Sequence, residues 1–215
     1  MTPLQTFHLA HLPPDLAIHV ALYTDVQNAP ILRDQLLQGN PDFEYALIEA
    51  SVILSTTHVL AAVFRAANDH LYARLKSRNV HSEIVFSLGA NNNIAQSLRT
   101  FGITSTTTNL LVIKLSTDPG ITALTVSEHL STSIQGTQVD FNDATLTNMA
   151  DIAKVRKLYK LGGVEEDGSK GKRRRKDGTE EGSGLIDGAS IKDSERVRKE
   201  LEVAILGLMA LKGVV

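Results

Sequence analysis

The chain has no cysteine and no tryptophan, and aromatics make up only 5% of it. Without cysteine there are no disulfides, no thiol nucleophile and no thiolate-ligated zinc or iron–sulfur centre, which fits a reducing cytosol or nucleus. No apolar run approaches the roughly 18–20 residues of a membrane span, and the opening MTPLQTFHLAHL lacks the basic stretch and long apolar core of a signal peptide. An intracellular, soluble protein is expected. Catalytic motifs are missing too. His8, His11, His19, His58, His70, His81 and His129 never fall at HExxH or another metal spacing, so no metal and no cofactor are expected. Ser55, Thr56, Thr57 and His58 adjoin without a GxSxG elbow and serve better as helix caps. No glycine cluster forms GxGxxG or GxxxxGK[ST]. Asp25 closes a strand and, with Asn28 and Pro30 following, is a turn carboxylate.

What is present is ordinary globular material. The 215 residues are 42% hydrophobic and 21% charged, enough for one domain with a real core, and the formal charge of -2 makes any nucleic-acid contact depend on a local basic patch. The densest information lies in SEIVFSLGANNNIAQSLRTFGITSTTTNLLVIKL, residues 82–115. Ile84, Phe86 and Leu88 alternate with Glu83, Val85 and Ser87, which predicts a strand. After the polar hinge Asn91, Asn92 and Asn93, Asn93 is placed to cap a helix, with Gln96 reaching back as in a capping box. Ile94, Leu98 and Phe101 form a stripe toward the sheet, Gly102 is expected as a left-handed cap, and Leu110–Leu115 suits a central strand.

Elsewhere, Thr6–Ala10 and Ala17–Tyr23 predict a hairpin around HLPPD, and Pro30–Gly39 a helix stopped by its glycine. Beyond the Ser55–Thr57 caps, Leu60, Val63, Phe64, Ala67, Leu71 and Leu75 outline a long amphipathic helix. Ile121–Ile134 suits a further helix, Gln138–Phe141 a short strand, and Ala150–Leu161 a basic helix with Ile152, Val155 and Leu158 inward. Residues 162–190 break the pattern with eight of the fifteen glycines and acidic clusters around KRRRK. So little apolar surface cannot offset ordering entropy, and a disordered insertion is expected within one domain formed by 1–161 and 191–215. Lys172, Arg173, Arg174, Arg175 and Lys176 resemble a nuclear-import signal, although a merely solvated run is the commoner case. At the end, Leu201, Ala204, Ile205 and Leu208 fall on one side of a helix and Val203, Leu206 and Ala210 on another. One side can cover a sheet; the other needs a second cover, internal or supplied by a partner.

FSLGANNNIAQSLRTFGI resembles the signature of the TPRKB family, the kinase-binding small subunit of the KEOPS (EKC) complex. IHVALYTDVQNAPILRDQLLQG, THVLAAVFRAANDHLYARLKS, KVRKLYKL and LEVAILGLMALKGVV are similar to family segments in the same order. The resemblance covers residues 1 to about 162 and 196–215, with Asn91, Asn92, Asn93, Ile94 and Gly102 as its structural signature. It implies a non-catalytic subunit that docks on an atypical kinase/ATPase and, through it, meets the threonylcarbamoyl-transferase subunit. That assembly modifies transfer RNA with threonylcarbamoyladenosine and is linked to telomere maintenance and transcription, in nucleus and cytoplasm. The kinase then supplies the missing cover for Val203, Leu206 and Ala210.

The resemblance also implies a part in holding transfer RNA. Lys154, Arg156, Lys157 and Lys160 gather cations on one helix, and Arg99 follows the asparagine hinge, so these five are the candidate RNA-binding residues. Tyr159 is the one aromatic among them, too little for base-specific stacking. The expected architecture is α+β, a two-layer sandwich of largely antiparallel sheet and packed helices. An autonomous RNA-binding domain and an enzyme with a cryptic site are the alternatives.

Overall fold

A computed structural model of the protein describes residues 4–161 and 188–212. Its sheet comprises β1 (Gln5–Phe7), β2 (Ile18–Thr24), β3 (Ala46–Glu49), β4 (Leu110–Leu115) and β5 (Thr137–Val139), in the order β1-β2-β4-β3 with β5 also beside β2. Every pairing is antiparallel. β2 and β4 form the centre, in a register that sets Ile18 against Leu115, Val20 against Ile113 and Leu22 against Leu111. β1 and β5 share the far edge of β2, opposite Ile18–Val20 and Leu22–Thr24 respectively. Both central strands are almost continuously apolar because both sheet faces are covered.

The helices are α1 (Ala29–Gln38), α2 (Thr56–Leu71), α3 (Val80–Leu88), α4 (Ile94–Phe101), α5 (Ala123–Ser133), α6 (Asp143–Met149), α7 (Ile152–Leu158) and α8 (Gly188–Leu211). On one sheet face, Ile18, Val20, Ile113 and Leu115 meet Val59, Ala62 and Val63 of α2 and Ile84 and Leu88 of α3. Val155 of α7 and Leu201, Ile205 and Met209 of α8 complete this larger core. On the other face, Ala21, Tyr23, Leu47 and Val112 meet Leu32 of α1 and Val126 and Leu130 of α5. The α+β class, the antiparallel sheet and its packed helices are as expected, and α1 and α5 add a thinner cover on the second face.

Local signals explain the elements that the sequence predicts. The opening hairpin forms, α1 begins at Ala29–Pro30, and Gly39 ends it at φ 70°, where a side chain is disfavoured. Ser55 caps α2 by accepting from the His58 amide, and α5 and β5 lie within one to two residues of expectation. Asp25 is an exposed turn residue at φ 54°.

Three expectations are corrected. The segment carrying Ile84, Phe86 and Leu88 is the helix α3, opened by an Asn79–Ser82 capping box. Eight of its nine residues are buried, so it has no polar face to reveal a helical period, and the alternation is accidental. Along α2 the core face is His58, Val59, Ala62, Val63, Ala66 and Ala67, whereas Phe64 and Leu71 point outward and Leu75 lies beyond the helix. Gly102 is extended at φ -74°, so it is no left-handed cap. It is needed for close approach: a Cβ there would strike the Leu98 carbonyl, while Gly102 bridges to Ile48 and the Ile103 amide donates to Leu47 at 2.9 Å. The expected insertion, including Lys172, Arg173, Arg174, Arg175 and Lys176, lies outside the described residues, except that residues 188–190 open α8.

Candidate partner-binding site

On α8 the residues Leu201, Ile205 and Met209 recur every four positions and close the larger core. Leu208, expected on that side, is only half-buried, and Met209 takes the central place. The helix is fastened to the N-terminal end of α2 and to Arg65 in its middle. Near its start, Arg198 donates to the Leu54 carbonyl and Ser55 donates to the Glu202 carboxylate. At the end of α8, Arg65 donates to the carbonyls of Met209 and Lys212, both at 2.6 Å, and the Met209 carbonyl also accepts from the Lys212 amide at 3.3 Å. Lys212 is itself buried, donating to the Phe86 carbonyl with its ammonium 3.2 Å from the Phe86 ring centre. Burial lowers its pKa to about 7.

The outer side of α8 carries the three residues assigned to a partner, and they differ. Val203 is 71% exposed and Ala210 is exposed, but Leu206 is half-buried and packs against the core. Beside α8, α2 presents Phe64 and Leu71 to solvent. A helix anchored this firmly and bearing uncovered valine on its far side offers a rigid apolar surface.

The expected basic site is divided. Asn91, Asn92, Asn93 and Lys160 line one shallow, open cavity of about 670 Å³ with Ile94, Gln96 and Leu158. Lys160 holds a left-handed backbone, φ 54°, at the end of α7, which carries it beside the asparagines. Lys154, 3.3 Å from the Ser51 hydroxyl, and Lys157 lie on the exposed side of α7, while Arg156 is half-buried. Arg99 lines a different cleft with Arg33 and Arg78, two residues that no spacing in the sequence connects to it.

The asparagine turn is built as expected at one bond and differently at the next. Asn93 accepts from the Gln96 amide at 3.0 Å. The return bond, however, comes from Asn91, whose side chain accepts from the Asn93 amide at 3.0 Å while also donating to the Gln96 side chain at 3.3 Å. Ser97 and Phe101 are the buried residues of α4, and Leu98 is exposed rather than facing the sheet. Asn93→Ala should therefore cost about 1 kcal/mol through loss of the cap. Chemical denaturation checks this, and an unchanged midpoint would show that the turn is held by other means.

Tyr159 is not available to stack on a base, being 4% exposed. Its hydroxyl donates to the Leu88 carbonyl at 2.6 Å and meets His58 Nε2 at 2.8 Å. His58 Nδ1 accepts from the Leu54 amide at 3.3 Å, so Nε2 carries the proton and donates to Tyr159. No sequence spacing reveals this chain of bonds, because its members lie on three separate segments. Burial lowers the His58 pKa to about 4, and burial, with the Lys114 and His70 charges, lowers that of His81 to about 3. Both are neutral structural groups. Among the described residues no three His, Asp or Glu side chains are grouped to hold a metal, and no helix is long and apolar enough to cross a membrane.

Comparison with known proteins bears on what this surface meets. The family described as kinase binding protein CGI-121 matches residues 23–213. A protein of Aspergillus terreus named EKC/KEOPS complex subunit cgi121 is 53% identical over 98% of this chain and 97% of its own length. Its namesake in Aspergillus fumigatus is 50% identical over the same shares, and that of Schizosaccharomyces pombe is 32% identical over 69% of this chain and 84% of its own.

Proposed function

The chain belongs to the CGI-121 family of kinase binding proteins, and from that premise we propose that it is a non-catalytic EKC/KEOPS subunit that docks on the complex's kinase subunit. In this role it supports threonylcarbamoyladenosine modification of transfer RNA, and the kinase links it to the threonylcarbamoyl-transferase subunit. The observation that carries the docking surface is Val203, 71% exposed on a helix whose opposite side, Leu201, Ile205 and Met209, is locked into the core. A valine this exposed adds little burial to its own fold and is open to be covered by a partner. Val203 and Ala210 form the contact, with Leu206 supporting them from beneath.

A direct transfer-RNA contact is the second reading, favoured by Lys160 beside the exposed side chains of the asparagine turn, with which it lines one cavity. Lys154, Lys157 and Arg156 continue that cationic surface along α7, and the described residues supply no exposed stacking platform there, so contact would be to phosphates. Replacing Lys154, Arg156, Lys157 and Lys160 with glutamate should leave kinase binding unchanged, weaken transfer-RNA binding and flatten its salt dependence by about one unit of slope for each phosphate no longer neutralised. Filter binding across a salt series reads this directly. RNA affinity equal to wild type at low salt would remove the patch from the account, and loss of kinase binding would place the kinase on α7 instead of α8.

A further inference from the structure

A cleft of about 500 Å³ opens between the end of α1, the loop that follows it, the start of α3 and the segment after α4. Leu36, Val85 and Ile103 form its floor, and Leu37, 68% exposed, and Leu98, 38% exposed, stand at opposite lips. Arg33, Arg78 and Arg99 surround it. All three are exposed, and none has a hydrogen-bond or carboxylate partner among the described residues. The left-handed Gly39 leaves room for the Arg78 guanidinium, since a Cβ there would approach Nη1 to 2.6 Å. One carboxylate lines the cleft, Glu44, and it already accepts from the Asn79 side chain at 3.1 Å. Among the described residues, none from α8 lines this cleft.

We infer that this cleft binds a short acidic peptide segment of a partner protein, with an apolar side chain seated between Leu37 and Leu98 and flanking carboxylates paired to Arg33, Arg78 and Arg99. Three unpaired guanidiniums against one engaged carboxylate set the sign of the ligand, and the uncovered leucines require it to bring an apolar anchor. A nucleic acid would satisfy the charge but not the leucines. The two aromatic rings of the lining also have other partners: Tyr45 is stacked on His129 with ring centres 5.5 Å apart and lies under Lys114, and Phe43 meets His129 in a T-shaped contact at 5.1 Å. Tyr45 is moreover only 6% exposed.

The test pans the full-length protein against phage-displayed random peptides and measures enriched peptides by fluorescence anisotropy. The selected sequences should combine Asp or Glu with Leu, Ile or Phe. The triple variant Arg33→Gln, Arg78→Gln, Arg99→Gln should melt like wild type, since its side chains are exposed and unbonded, yet bind about tenfold or more weakly. On the wild-type chain, a photo-crosslinker at the peptide's apolar position should label the segments around Leu37 and Leu98. The inference is overturned by failure to enrich any acidic peptide, by full affinity of the triple variant, or by crosslinks elsewhere. It is equally overturned if oligouridine binds with the same arginine dependence and displaces the peptide, because the cleft would then be a phosphate-binding surface.

Discussion

Val203→Glu should leave the chain folded and weaken capture of the kinase subunit about thirtyfold or more, the effect of losing roughly 2 kcal/mol at an interface anchor. The separation of the two effects comes from where the side chain sits. Val203 is 71% exposed, so a carboxylate there stays hydrated in the free protein and is desolvated only in the complex. Leu206→Glu would be a poorer probe, because Leu206 also packs against the core and its replacement would mix folding with binding. Ile205→Glu provides the opposite limit: at 0% exposure it buries an unpaired charge and should unfold the domain. Circular dichroism and a pull-down on the same samples separate the three. A folded Val203→Glu protein with wild-type kinase affinity would show that this side of α8 is not the docking surface.

Acidification should destabilise the chain by up to about 5 kcal/mol between pH 6.5 and 4, a large part of the stability of an ordinary domain. In the unfolded chain His58 and His81 titrate near their ordinary value of 6.5, whereas in the fold burial holds His58 at about 4 and His81 at about 3. Over that window the unfolded state binds more protons, so stability is fully present above pH 6.5 and falls with the pH. The cost arises at identifiable atoms. Protonating His58 Nδ1 removes the acceptor of the Leu54 amide, and protonating His81 Nε2 removes that of the Leu115 amide, 3.1 Å away. Urea unfolding at pH 7 and pH 4.5 should give a smaller pH difference for His58→Gln than for wild type. Equal differences would show that carboxylates dominate acid unfolding.

Much of this fold was legible where a signal is carried by one or two neighbouring residues. The Asn93 and Ser55 caps, the Gly39 stop and the apolar run Leu110–Leu115 depend on local chemistry, and the structure honours each. Failure came where burial erased contrast. α3 has no solvent side to betray its period, and the core face of α2 is lined largely by alanines, which weigh little against the more conspicuous Phe64 and Leu71. The outer side of α8 was half legible: the helical period isolates Val203 and Ala210 from Leu201 and Ile205, but it cannot show that Leu206 leans back onto the core. The arginine cleft had no sequence signal at all, since Arg33, Arg78 and Arg99 are assembled by three separate segments.

The central claim is that this chain acts by binding a kinase rather than by catalysis or by capturing RNA alone. Isothermal titration of the full-length protein with the purified EKC/KEOPS kinase subunit, and separately with transfer RNA, tests it most directly. The account predicts saturable one-to-one binding to the kinase without added nucleotide or RNA, and much weaker, salt-sensitive binding to transfer RNA. No heat with the kinase, together with tight binding to transfer RNA alone, would contradict it.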